Sequence, residues 1–341
     1  MLVPREIGGL ELPPDAALRA IEAAGAADAS VGWCVMIGAT TGLNAAYLPR
    51  EVAREIFGSP ETIAGGVFAP MGKAVRDGDD YVLNGRWQWA SGSANCDWLL
   101  AGAIVFENGA PRKLANGMAD DRKLIFPAKQ AVLNDTWHVT GLCGTGSGEM
   151  VVSELRVPAR YTTSYLESAP SAAGALYAFP VFGLLALGIA AVALGNARAA
   201  IDDLVELAGA KQPLGSRRTL AERGSAQTAL AMAEADLRSA RAFFHETVAA
   251  AWDVAQSTGQ VDVKQRALLR LAATNATRKS ADVTRAMYDL AGGSSVFLSS
   301  PLQRRFRDAH VATQHLMISP PTYELTGRVL MGLPIDSATP L

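Results

Sequence analysis

Two changes of periodicity divide this chain of 341 residues and limit what it can fold into. From about residue 14 to 57 the apolar residues follow a helical spacing. From about 62 to 165 glycine and proline become frequent. Short alternating runs take over there: Tyr81-Val82-Leu83, Trp87-Gln88-Trp89, Trp98-Leu99-Leu100-Ala101 and Met150-Val151-Val152. From about 175 to 332 the pattern is helical again, in long pieces. Leu230, Leu237 and Phe244 recur seven residues apart, with alanine over much of the remaining inner face. Small residues let helices approach closely, which suits an antiparallel bundle. The expected class is α+β, with N-terminal helices (1–60), a compact β barrel or sandwich (61–168) and a C-terminal antiparallel four-helix bundle (169–341).

Local signals refine this. Pro13-Pro14-Asp15 opens a helix, the chain breaks near Asp28-Ala29-Ser30, and Pro49 opens a third helix that ends at Gly58. Asn84-Gly85 predicts a type I′ hairpin turn, because both residues tolerate positive φ. Gln212-Pro213-Leu214-Gly215 separates the first two long helices. The longest apolar run, Val181 to Gly195, is short for a membrane span and continues into Asn196, Arg198, Asp202 and Asp203, so a buried core helix is expected.

Acidic and basic residues nearly balance, 33 against 31, which gives no reason to expect a nucleic acid or a membrane surface as partner. Cys34, Cys96 and Cys143 are few and widely spaced, as in a reduced, cytoplasmic protein without a disulfide framework or a cysteine-ligated metal. No basic region followed by an apolar core marks Met1 to Glu6 as a secretory signal.

The chemistry concentrates in two segments. In Ser300 to His315, two of the four histidines, His310 and His315, follow Arg304, Arg305 and Arg307, with Gly292-Gly293 upstream. A Gly-Gly turn, a cationic helix start and an imidazole suit a large anionic cofactor. A surface helix with solvated arginines would account for the same residues taken alone, and the second segment decides between them. Asn84-Gly85-Arg86-Trp87-Gln88-Trp89-Ala90-Ser91-Gly92-Ser93-Ala94-Asn95-Cys96-Asp97 resembles the N-G-x-K-x-W-I-T-N-G-x-x-A-D segment of the acyl-CoA dehydrogenase superfamily. Asp28 to Trp33, Gly141 to Ser147 (G-x-x-G-T-x-S), Val157-Pro158, and Gly292-Gly293 with Arg304 to Asp308 match further family segments in the same order. The resemblance covers essentially the whole chain.

The resemblance implies a flavin, with Trp89 and Ser91 against its ring and Ser91 sharing in the chemistry at the ring edge. It implies that Gly292, Gly293, Arg304, Arg305 and Arg307 lie near cofactor phosphates or a subunit contact, with some of the arginines paired to acids instead. The family's dehydrogenases need a carboxylate base, which follows the R-D segment or sits early in the first bundle helix. Here Arg307-Asp308 is followed by Ala-His-Val-Ala-Thr-Gln-His315-Leu-Met317, and no acid precedes Asp202 in the first long helix. The pattern R-D-x-x-x-x-x-x-H instead resembles the reduced-flavin-dependent monooxygenases of two-component systems.

That branch implies an oxygenase component that takes reduced FMN or FAD from a separate reductase. It hydroxylates an aromatic or polycyclic small molecule with molecular oxygen through a flavin C4a-hydroperoxide. His315 is then the acid/base residue, and Trp33, Thr41, Trp87, Trp89 and Met317 line the pocket. Thr41 and Gly148 stand where many relatives carry a histidine. The resemblance also implies a dimer or homotetramer, and an N-terminal helical domain shortened relative to the family. The alternatives are an acyl-CoA dehydrogenase-like FAD oxidoreductase with an unusual base, and a non-catalytic member of the family.

Overall fold

The computed structural model describes residues 1–335. Three helices come first: α1 (Pro14–Ala27), α2 (Ala29–Thr41) and α3 (Arg50–Phe57). Pro14 sits in the first turn of α1, where a missing N–H costs nothing. Asp28 stops α1, and its Oδ1 accepts from the amides of Ser30 and Val31 at the start of α2. The strands follow: β1 (Ala64–Asp77), β2 (Asp80–Trp87), β3 (Trp98–Glu107), β4 (Ala110–Pro111), β5 (Asp121–Pro127), β6 (Val132–Asn134), β7 (Glu149–Pro158) and β8 (Thr162–Thr163). The rest is helical: α4 (Val181–Ala210), α5 (Gly224–Thr258), α6 (Val263–Ala291), α7 (Pro301–Ala312) and α8 (Pro321–Leu330).

Two compact units emerge. One comprises Met1–Leu12, Ile37–His138 and Cys143–Tyr177; the other comprises Pro13–Met36, Val139–Leu142 and the chain from Ala178 on. The first unit is built on one sheet of eight strands, in the order β6-β7-β2-β1-β3-β5-β8, with β4 paired to β3. The pairing is antiparallel except between β1 and β3. Its core gathers Ala74, Leu83, Trp87, Leu99, Val105, Leu124, Phe126, Met150 and Val157, all buried.

Asn84-Gly85 does not form the expected hairpin turn. The β1–β2 loop is Gly78-Asp79, with Asp77 facing Asp80 and Gly78 at φ 63°. Asn84 lies inside β2, opposite a bulge in β7 where Glu154 adopts φ 47°. Its side chain spans that bulge, with Nδ2 donating to Glu154 Oε1 (2.7 Å) and Oδ1 accepting from the Glu154 amide (2.8 Å). Gly85 is needed for space, because a Cβ there would meet Trp87 Cη2 at 2.5 Å and the Cα of Gly72 at 2.8 Å.

In the second unit α4 is the central helix. It is long and apolar enough to cross a membrane, yet its apolar window is 89% buried inside the protein, as a core helix would be. At Gly25 and Gly195 the backbones of α1 and α4 touch: a Cβ on Gly25 would stand 2.8 Å from Val192 O, and one on Gly195 would stand 2.7 Å from Ala26 N. The inner face of α6 is made of small residues, including Ala272, Ala273, Ala276, Thr277, Ser280 and Thr284. The hydroxyls of Thr277 and Thr284 donate back to the carbonyls of Ala273 (2.9 Å) and Ser280 (2.7 Å), so their burial leaves no orphan donor.

Trp87 is fully buried and cannot yield to an added methyl group. Gly85→Ala is expected to destabilise the fold by about 1–3 kcal/mol, read as a lower urea midpoint at unchanged slope. A midpoint equal to that of the parent protein would show that the indole has room to shift.

Candidate active site

In the sheet unit, β2 ends on Trp87, whose Nε1 donates to the Gly102 carbonyl at 2.8 Å. Trp87 was expected to line a pocket; at 0% exposure it belongs to the sheet core instead. Two residues later the backbone turns sharply. Trp89 adopts φ 63°, a conformation that costs a bulky residue about 1–3 kcal/mol, and its indole is 60% exposed. The following residues are tied to the 145–148 loop: the amides of Ala90 and Gly92 donate to Gly148 O (3.1 Å) and Thr145 O (2.8 Å).

This places Ser91 in a buried chain of three hydroxyls. Its Oγ lies 2.6 Å from Ser147 Oγ, which lies 2.6 Å from Thr145 Oγ1. Each hydroxyl both donates and accepts, so the chain can turn a donor or an acceptor outward without a change of charge. A flat exposed indole beside such a chain fits a planar heteroaromatic with carbonyl and imine edges. Thr41 is buried, and its hydroxyl donates to the Ile37 carbonyl at 2.8 Å within α2.

In the helical unit, α7 ends at Ala312 and His315 caps the 3₁₀ turn Leu316–Ile318. Its Nδ1 accepts the amide N–H of Met317 at 3.2 Å. Trp33 meets the imidazole edge-on, with centroids 5.8 Å apart and planes at 61°. Beneath the turn, Arg270 of α6 is 4% exposed and donates from Nε (3.2 Å) and Nη2 (2.9 Å) to the Met317 carbonyl. His315, Trp33 and Met317, all singled out from sequence, therefore come together.

His315 keeps an edge open to solvent. The protein packed around it nevertheless pushes its pKa down to about 4, through desolvation first and the Arg270 charge second. Water at the open edge softens the desolvation, so the direction matters more than its extent: the ring is neutral at pH 7. Burial lowers Arg270 to about 10, which leaves it charged at neutral pH.

Arg270 went unnoticed in the sequence, although a signal was present. Ala267, Arg270, Thr274 and Thr277 share one helical face, and an arginine among small core residues marks a buried charge with a task.

The arginine cluster divides. Arg305 is buried, with Nε 2.5 Å from Asp203 Oδ2 and Nη1 donating to Ala26 O at 3.1 Å. Its guanidinium is consumed inside the helical unit, which corrects its expected place at cofactor phosphates. Arg304 is half-exposed and 3.5 Å from Asp28. Arg307 donates to Thr140 O at 2.8 Å, while Asp308 accepts the Leu142 amide at 2.6 Å, so both tie α7 to the 139–142 strip. Burial raises the Asp308 pKa above the usual carboxylate range. Gly292 ends α6 at φ 53°, and Gly293 has open space where a Cβ would sit. Near them lies a cleft of about 270 Å³ lined by Asp203, Ser294, Ser299 and Ser300.

A family model described as acyl-CoA dehydrogenase, C-terminal domain, matches residues 187–320. The chain is 37% identical over 333 residues to the indole-3-acetate monooxygenase of Pseudomonas putida, a match that covers 97% of this chain and 83% of that one. It is 26% identical over 344 residues to a flavin-dependent monooxygenase of Mycobacterium tuberculosis, oxygenase subunit HsaA, covering 98% and 86%. Among solved structures, XiaF from Streptomyces sp. in complex with FADH2 and glycerol superposes with a TM-score of 0.88 at 25% identity, covering 98% and 85%.

The strain at Trp89 gives a test that needs no substrate. Trp89→Gly is expected to leave the protein without ligand as stable as before, or more stable by about 1 kcal/mol, in thermal unfolding. A large loss of stability would mean that the indole holds the loop together.

Proposed function

The chain belongs to the flavin-dependent monooxygenases of the acyl-CoA dehydrogenase superfamily, and from that premise we propose that it is the oxygenase component of a two-component system acting on an indole-class aromatic. The cofactor is a reduced flavin, FMN or FAD. When bound, it supplies the electrons that activate molecular oxygen, so that one oxygen atom enters the substrate ring and the other leaves as water.

The observation that carries this reading is the setting of His315. Trp33 and Arg270 surround it, and Arg270 is the charged group that acts on it among the described residues. Removing a proton from a C–H next to a thioester calls for an anionic base. A neutral imidazole above a buried cation serves oxygen chemistry better, because it can bond to oxygen without carrying charge.

Trp89 is proposed to stack on the flavin ring, and Ser91, backed by Ser147 and Thr145, to bond its polar edge. Trp33 and Met317 bound the histidine side. Arg304, Arg307, Gly292 and Gly293 are the residues proposed to serve the cofactor phosphates or a subunit contact. A separate reductase, a cytoplasmic setting and a dimeric or tetrameric state complete the proposal. The Pseudomonas putida relative is named for indole-3-acetate, which makes an indole ring the first substrate to test.

The test is anaerobic titration with reduced FMN and FADH2, followed by mixing with oxygen and indole-3-acetate or indole. Hydroxylated product per flavin oxidised is measured against hydrogen peroxide released. The protein is expected to bind reduced flavin and to form product. Failure to bind reduced flavin, or bleaching of a tightly held yellow flavin by an acyl-CoA, would sink the proposal. His315→Ala is expected to lower the hydroxylation rate by about 10²–10³ and to raise peroxide release. Unchanged coupling in that variant would remove His315 from the reaction.

A further inference from the structure

Met317 is held at both ends of its peptide unit. Its N–H donates to Nδ1 of His315, and its carbonyl accepts both Nε and Nη2 of Arg270. The first of these bonds has only one possible direction, since a backbone amide donates and never accepts. A neutral imidazole carries one N–H, so with Nδ1 accepting, the proton resides on Nε2. His315 could take up a second proton only at Nδ1, by giving up its cap on the Leu316–Ile318 turn.

We propose that Arg270 is a positioning residue that, through the Met317 peptide, holds His315 as a neutral hydrogen-bond donor at Nε2 rather than as a base.

The surroundings agree. Arg270 opposes a positive charge on the imidazole, and Trp33 brings none. α4 and α6 are the long helices against this turn. The apolar half of α4, Val181 to Gly195, has no ionisable side chain, and Arg270 is the group on α6 that acts on the ring. A neutral imidazole made into a donor by the end of a short helix stabilises negative charge that develops on oxygen, as an oxyanion-hole donor does. It needs no proton from solvent and leaves no charge behind. His315 thus supplies an N–H to the reacting oxygen or to a substrate carbonyl or hydroxyl oxygen, and deprotonation of the substrate falls outside its role.

The inference rests on the oxygenase reading only for what His315 does, not for its tautomer, so the two are tested apart. The full chain is labelled with ¹⁵N-histidine, and the His315 resonances are identified by their loss in His315→Gln. Two-bond ¹H–¹⁵N spectra are then followed from pH 8 to 5.5. The expected result is a neutral ring protonated at Nε2 across the range. Arg270→Gln, checked for folding by circular dichroism, should let His315 titrate closer to the ordinary histidine value of about 6.5. Arg270→Lys keeps the charge but cannot fork over the carbonyl, and should produce a smaller move in the same direction if the glutamine variant does not fold.

A ring protonated at Nδ1, or an imidazolium at pH 7, overturns the donor assignment. Parent-like His315 spectra in the folded Arg270 variants overturn the role of Arg270. Product yield supplies the separate arm. Glutamine retains an N–H near the Nε2 position without a titratable group, so His315→Gln should keep part of the coupling that His315→Ala loses. If the tautomer is as stated and both variants hydroxylate like the parent protein, the oxygenase role of His315 fails while the positioning by Arg270 stands.

Discussion

The helical unit depends on one backbone contact, the crossing of α1 and α4 at Gly25 and Gly195. No side chain fits between them there, so the angle and distance of the crossing admit little variation. The consequences run along the chain. α1 ends one residue before α2 begins, and the Asp28 carboxylate caps the new helix, so the crossing sets where α2 starts. The first turns of α2 then press Met36 onto α4 at Gly188, where a Cβ would stand 2.5 Å from Met36 Cγ. Trp33, one turn earlier, is thereby aimed at His315. The aromatic wall beside the imidazole is positioned by glycines that never touch it. Tight packing transmits position in this way because interiors have few voids to absorb an error.

The sheet unit uses the same device with a different outcome. Trp87 fills the space left by Gly72 and Gly85 and anchors the end of β2. The chain beyond it is bound to the 145–148 loop through Ala90 and Gly92. Trp89, caught between these fixed points, takes a left-handed backbone conformation and turns its indole outward. Strain together with apolar exposure is a poor bargain for a protein that only has to fold. It makes sense where a flat ligand covers the indole, with the conformational cost met once, during folding, instead of at each binding event.

Much of this was legible in the sequence, because the signals were local. Pro14, Asp28, Pro49 and Gly58 stand at or beside helix ends for reasons confined to one turn of chain, and the helices begin and end there. The switch in periodicity marked the strands in the same way. Asn84-Gly85 misled because its cause is not local: the asparagine serves a bulge on a strand some 70 residues away, and the glycine makes room for an indole. The arginines show the same divide. Arg304, Arg305 and Arg307 look alike in sequence, and only the fold brings Asp203 and the Ala26 carbonyl to Arg305. Arg270 was hidden for the same reason. It is one of several basic residues along α6, and its importance comes from a carbonyl 47 residues further on.

Buried charge usually destabilises, and Arg270 carries one beneath a turn of only three residues. Its neighbours explain why such an arrangement is kept. A cation at that depth disfavours protonation of His315, and the same cation, through Met317, orients the ring so that the proton stands on Nε2. An anionic base would gain from a nearby cation by being held charged, and would then lose nucleophilic and basic strength to it. A neutral donor loses nothing. On the proposed reading the site is organised around stabilising charge on an oxygen atom, and His315 is not the group that takes a proton from carbon. The sequence agrees, since no carboxylate stands between Asp308 and Met317, where a dehydrogenase's base would be expected.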